Sequence, residues 1–105
     1  MDLNSKKCKP CEAGIPPLTE KQSSELLKQT PGWEIKDGHV HRQFKFKNFR
    51  EAISFVNKVA EKAEEEGHHP DIIINYNKVS IELWTHKING LSENDFIVAA
   101  KISRI

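Results

Sequence analysis

The stretch that decides the fold is 71-DIIINYNKVSIELWTH-86. It opens with a short apolar run, DIIINY, whose β-branched residues suit a pleated surface. It closes with an alternation. Val79, Ile81, Leu83 and Thr85 fall on one side, and Ser80, Glu82, Trp84 and His86 on the other. A period of two is the mark of a strand with one face toward a core. NYNK lies between the two runs and supplies turn residues. The stretch therefore predicts an antiparallel hairpin with Trp84 and His86 on the face away from the core.

Working outward toward the N-terminus, 48-NFREAISFVNKVAEKAEEEG-67 is the clearest helix. Asn48 can cap it. Phe49, Ala52, Ile53, Val56, Ala60 and Ala63 recur at steps of three and four and predict one apolar stripe. Gly67 suits the left-handed position just past a helix end. The last turn carries Glu64, Glu65 and Glu66 at the negative end of the helix dipole. That placement costs a few tenths to about 1 kcal/mol each, which points to a use for one of them, with a solvated charge run as the commoner explanation.

Before this helix, Asp37-Gly38 is a strong two-residue hairpin signal, because a type I′ turn needs two residues at positive φ. It joins a strand over Trp33 to Lys36 to the alternating HVHRQFKF. Ile35 should face Val40, and Glu34 should face His41. His39 and His41 then belong to a solvated sheet face. Thr19 with Gln22 forms a capping box, so a first helix starts at Thr19 and ends near Gln29, ahead of Pro31. On the C-terminal side, Ser92 and Asp95 form a second capping box, with Leu91 and Phe96 placed as a hydrophobic staple. Phe96, Ala99, Ala100 and Ser103 give the last helix a narrow packing stripe.

The order is α-β-β-α-β-β-α. It predicts an α+β domain with a single four-stranded, mainly antiparallel sheet and three helices packed on one face. The other face is left open for a site or a second subunit. Residues 18–105 form this domain. Residues 1–17, with Pro10, Gly14, Pro16 and Pro17, are expected to be a flexible or draped arm.

The 105 residues hold 16 basic and 15 acidic side chains, a formal net charge of +1. Direct nucleic-acid binding needs a basic excess or face and is not expected. No apolar run approaches the roughly 18 residues of a membrane span. The first residues have no apolar core of a secretion signal, so a cytoplasmic protein is expected. Cys8 and Cys11 form one C-x-x-C without the further ligands of a zinc site. A mobile, reduced pair with no catalytic duty is expected, with a metal site shared between subunits as the lesser alternative.

His68 and His69 follow the helix end, and His86 closes the last strand on the open face. If that strand returns beside DIIINY, all three imidazoles and Glu64 approach one pocket. Histidine, with an unperturbed pKa of about 6.5, suits proton transfer near neutral pH. Three histidines and a water would also make a catalytic zinc sphere. Capping and solvation of loop histidines is the plainer alternative.

The series Glu64, His68-His69-Pro70, Tyr76, His86 and Asp95 resembles the signature of the pterin-4a-carbinolamine dehydratase family. YNKV and THKINGLSENDF resemble that family's closing segment. The resemblance spans roughly residues 18–102 and is dense from Glu64 to Ala100. It implies dehydration of 4a-hydroxytetrahydropterin to quinonoid dihydropterin and water, a hydro-lyase reaction without metal or redox cofactor. It implies His68 and His86 as acid and base, His69 as a further catalytic side chain that orients the pterin, and Glu64, Trp84 and Asp95 as substrate-binding residues. A homodimer or homotetramer and an aromatic amino acid hydroxylase as pathway partner are also implied. The family gives one alternative, a non-enzymatic dimerisation or transcription-cofactor module acting through the last helix. The apolar surplus of Phe96, Ile97 and Val98 is expected to serve self-association.

Overall fold

The structure is a computed structural model that describes residues 3–9 and 16–105. Helix α1 covers Glu20–Leu27, α2 covers Phe49–Glu66 and α3 covers Glu93–Ile102. Strands β1 (Glu34–Lys36), β2 (His39–Lys45), β3 (Asp71–Asn75) and β4 (Lys78–Leu83) form one antiparallel sheet in the order β1-β2-β4-β3. The predicted α+β class, element order and four-stranded antiparallel sheet are those observed.

Local chemistry accounts for the ends of these elements. Thr19 and Gln22 close their capping box at 2.9 and 3.1 Å. Asn48 Oδ1 accepts from the Glu51 amide at 2.9 Å. Gly67 ends α2 at φ 63°, in the left-handed region where side chains are disfavoured. Asp37 and Gly38 take φ 52° and 77°, as a type I′ turn requires. Ile35 pairs with Val40 and Glu34 with His41, in the predicted register.

The core lies between the sheet and the helices. Val40, Val79, Ile81 and Leu83 are fully buried on the inner sheet face. Against them pack Ala52, Phe55 and Val59 of α2, and Ala63 of that helix is also buried. The predicted stripe on α2 was therefore partly misplaced. Phe49 is 50% exposed and Ala60 is exposed, whereas Phe55 and Val59 are buried. A helix turns 100° per residue, so Phe55 and Val59 share the side of Ala52 and Ala63.

Helix α3 departs further from expectation. Phe96, Ile97, Val98, Ala99, Ala100 and Ile102 are all buried, and Ser103 is exposed. The reason is the N-terminal segment. Leu3–Ser5 form a 3-10 turn against α3, and Leu3 is 1% exposed within the core cluster. The apolar surplus of α3 is thus consumed inside one chain and does not present a surface for self-association. Among the described residues no helix is long and apolar enough to cross a membrane.

Candidate active site

The site is built where the C-terminal end of α2, the end of β4 and the start of α3 meet. Gly67 turns the chain out of α2, and His68 and His69 follow at once. On the other side, β4 ends at Leu83, and Trp84 follows it with its ring stacked beside that of His39. Thr85 bridges Gly90. His86 opens a 3-10 turn, His86–Ile88, and so lies just past the strand it was expected to close. A cavity of about 670 Å³ lies between these parts. Its lining includes His68, His69, His86 and Trp84.

His68 is the most firmly held of the three. Its Nε2 lies 2.6 Å from Asp95 Oδ1. Asp95 is fully buried, and its other oxygen accepts from the Thr85 hydroxyl and the Ser92 amide, both at 2.9 Å. A carboxylate is an acceptor only, so His68 Nε2–H donates to it and Nδ1 is left to exchange a proton. The same arrangement holds the Ser92–Asp95 capping box. One carboxylate therefore caps α3 and orients an imidazole. It stands behind His68 and does not line the cavity, which differs from the substrate-binding position expected for Asp95.

His69 is exposed, and its Nε2 lies 2.5 Å from Glu64 Oε2. Glu64 is also exposed and does not line the cavity, so its reach to the site runs through His69. His86 lies face to face with Trp84, ring centroids 3.9 Å apart, and His39 stacks on Trp84 at 4.7 Å. Trp84 Nε1 donates to Asp71 Oδ2 at 3.3 Å, across the β3–β4 pair. His39, which the sequence left on a solvated face with nothing converging on it, belongs to this aromatic stack. His41 stays outside it, with Glu34 Oε2 3.5 Å from Nδ1 and no hydrogen bond at that atom. Tyr76 takes φ 55° at the β3–β4 turn and is 64% exposed, so it neither packs nor reaches the cavity.

The three glutamates at the end of α2 each find a separate partner. Glu64 meets His69, Glu65 lies 3.4 Å from Lys62 Nζ, and the nearly buried Glu66 lies 3.8 Å from Lys101 Nζ. Among the described residues no group of three His, Cys, Asp or Glu side chains is placed to hold a metal ion.

The family model described as Pterin 4 alpha carbinolamine dehydratase matches residues 16–105. The chain belongs to the pterin 4 alpha carbinolamine dehydratase family. A Rubrobacter xylanophilus protein provisionally named pterin-4-alpha-carbinolamine dehydratase is 50% identical, over 99% of this chain and 98% of its own. A Methylococcus capsulatus protein of the same provisional name is 51% identical, over 98% and 92%. The crystal structure of a transcriptional coactivator/pterin dehydratase from Brucella melitensis superposes with a TM-score of 0.79 at 38% identity. That match covers 84% of this chain and 96% of the Brucella chain. Dehydratases are hydro-lyases, so the enzyme class implied by the histidine series holds for this member.

Several residues lining this dehydratase cavity were not placed there by the sequence, although Cys8 and Glu66 stood out in it for other reasons. Cys8 and Lys9 reach it from the N-terminal segment, and Glu66, Asp71 and Asn94 from the domain. The Cys8 amide donates to Glu66 Oε1 at 2.8 Å, and the Lys9 amide donates to Asn94 Oδ1 at 3.0 Å. Burial, with the Glu66 carboxylate beside it, pushes the Cys8 thiol up to about 12. The expected mobile cysteine pair is thus a seated, protonated thiol at Cys8, while Cys11 lies outside the described residues.

Proposed function

We propose that the protein dehydrates 4a-hydroxytetrahydropterin to quinonoid dihydropterin by histidine acid–base catalysis, in the recycling of tetrahydropterin. The observation that supports it most is one cavity lined by His68, His69 and His86 in a chain of this family. The reaction breaks the C4a–O bond and forms a C=N bond. One proton must reach the leaving hydroxyl, which departs as water, and one must leave a ring N–H. The two transfers balance, and no electron is gained or lost overall.

His68 suits the base, because Asp95 takes its Nε2–H and leaves a lone pair on Nδ1. The buried carboxylate also stabilises the imidazolium that forms, as an orienting acid does beside any histidine base. His86 is the acid for the departing hydroxyl. Its ring rests on Trp84, which fixes its plane while leaving the ring exposed. His69, joined to Glu64, binds and orients the pterin. Trp84 offers the flat ring an edge or a face, although His39 and His86 already stack on it. The substrate itself arises when an aromatic amino acid hydroxylase uses tetrahydropterin, which implies a cytoplasmic setting.

We also propose a homo-oligomer. β3 is an edge strand, and Ile73 on its outer side is 58% exposed beside the exposed Tyr76 turn. Unpaired edges with exposed apolar side chains favour pairing with another strand. The alternative of a non-enzymatic cofactor module acting through α3 has less support, because that helix is buried. An assay with freshly generated carbinolamine tests the activity directly. Quinonoid dihydropterin should form well above the spontaneous rate, and an unchanged rate at micromolar protein would sink the proposal.

A further inference from the structure

The family match begins at residue 16, yet two residues of the cavity lining precede it. Cys8 and Lys9 are not loosely laid across the site. Leu3 is buried in the core, and Lys6 Nζ pairs with Glu93 Oε2 at 2.9 Å. Glu66, nearly buried, accepts from the Cys8 amide. Asn94 holds Lys9 from both sides, accepting from its amide at 3.0 Å and donating to its carbonyl at 2.7 Å. That two-point amide grip fixes backbone as a neighbouring strand would. Both clamps, Glu66 and Asn94, themselves line the cavity.

We infer that Cys8 and Lys9, clamped by Glu66 and Asn94, are a substrate-contacting wall that the N-terminal segment, ahead of the span of the family model, contributes to the dehydratase pocket. The wall sets affinity and the bulk of the substituent a pterin carries, and leaves the proton transfers to the histidines. The division follows from position. The His68–Asp95 bond is made within residues 68–95 and does not include the arm. The arm supplies surface and an ammonium at Lys9, whose three donors suit an oxygen-bearing substituent. A preformed wall of this kind raises affinity because it is ordered before the ligand arrives.

The inference rests on the pterin function proposed above, and two full-length variants test it. Binding of oxidised pterin and of biopterin, which carries a hydroxylated side chain, is measured by calorimetry, with melting curves as the check on folding. Cys8→Phe puts a ring into the cavity from the wall, and Leu3→Ala loosens the arm from outside the cavity. In both, the biopterin Kd should rise about tenfold or more while that of pterin rises less than about threefold. For Leu3→Ala, KM should rise with kcat held within about twofold. Should Leu3→Ala fail to fold, Cys8→Phe decides alone. Folded variants that bind both ligands as the wild type does, or lose both equally, overturn the wall alone. A wild type that binds neither ligand overturns the pterin function and the wall together.

Discussion

At the scale of residues, Asp95 shows how one side chain serves two ends. Its spacing from Ser92 announced a helix cap, and its place in the histidine series announced a site. The structure gives one oxygen to each task. Asp95→Asn keeps the shape but removes the charge and turns one acceptor oxygen into an amide donor, so the side chain can no longer accept from His68, Thr85 and Ser92 together. Turnover should fall about a hundredfold or more, since a positioned general base contributes roughly 10²–10⁴-fold and the His68 tautomer is no longer held. Steady-state kinetics would check it, and retention of full kcat would count against the orienting role. Cys8 gives a prediction in pH. Its folded pKa lies near 12, above the ordinary 9.0, so the unfolded chain loses the proton first as pH rises. The contribution is fully present below pH 9 and is lost between 9 and 12. Denaturant midpoints should therefore fall more steeply across that window for the wild type than for Cys8→Ser. Alkylation at pH 8 should be slow in the folded protein and fast once it is unfolded.

At the scale of elements, the ends were more legible than the faces. Caps and turns depend on a few adjacent residues, and Thr19, Asn48, Asp37-Gly38, Gly67 and Ser92 all act where their chemistry placed them. Faces depend on what arrives from elsewhere. The stripe on α2 missed Phe55 and Val59 because its apolar residues are spread widely enough to admit two phases. α3 was given a narrow stripe because nothing in residues 93–103 says that Leu3 will cover its far side. Gly67→Ala should cost about 1 kcal/mol, since its φ of 63° penalises a Cβ even where nothing lies within 4 Å of it. Gly90→Ala should cost more, because a Cβ there would stand 2.6 Å from Pro17 Cβ. Chemical denaturation of the two variants would rank them, and the reverse order would contradict this packing.

At the scale of the whole molecule, the α+β order followed from periodicity and turns, because each strand pair is local and joined by a tight turn. The gathering of His68, His69 and His86 was legible for the same reason. β4 returns beside β3, which brings residue 86 back to the start of that hairpin. The wall at Cys8 and Lys9 was not legible, since its contacts bridge more than fifty residues and show no period. Exposed Ile73 on the β3 edge predicts a concentration-dependent assembly. Sedimentation at micromolar protein should show a dimer or larger, and Ile73→Lys should shift it toward monomer; a wild-type monomer would contradict the edge as an interface. The central claim is that these imidazoles pass the protons of the dehydration. It is tested most directly by comparing wild type with the folded His68→Ala/His86→Ala double variant on fresh carbinolamine. Losing acid and base together should slow the catalysed step by about a thousandfold or more, and equal rates for the two proteins would contradict the account.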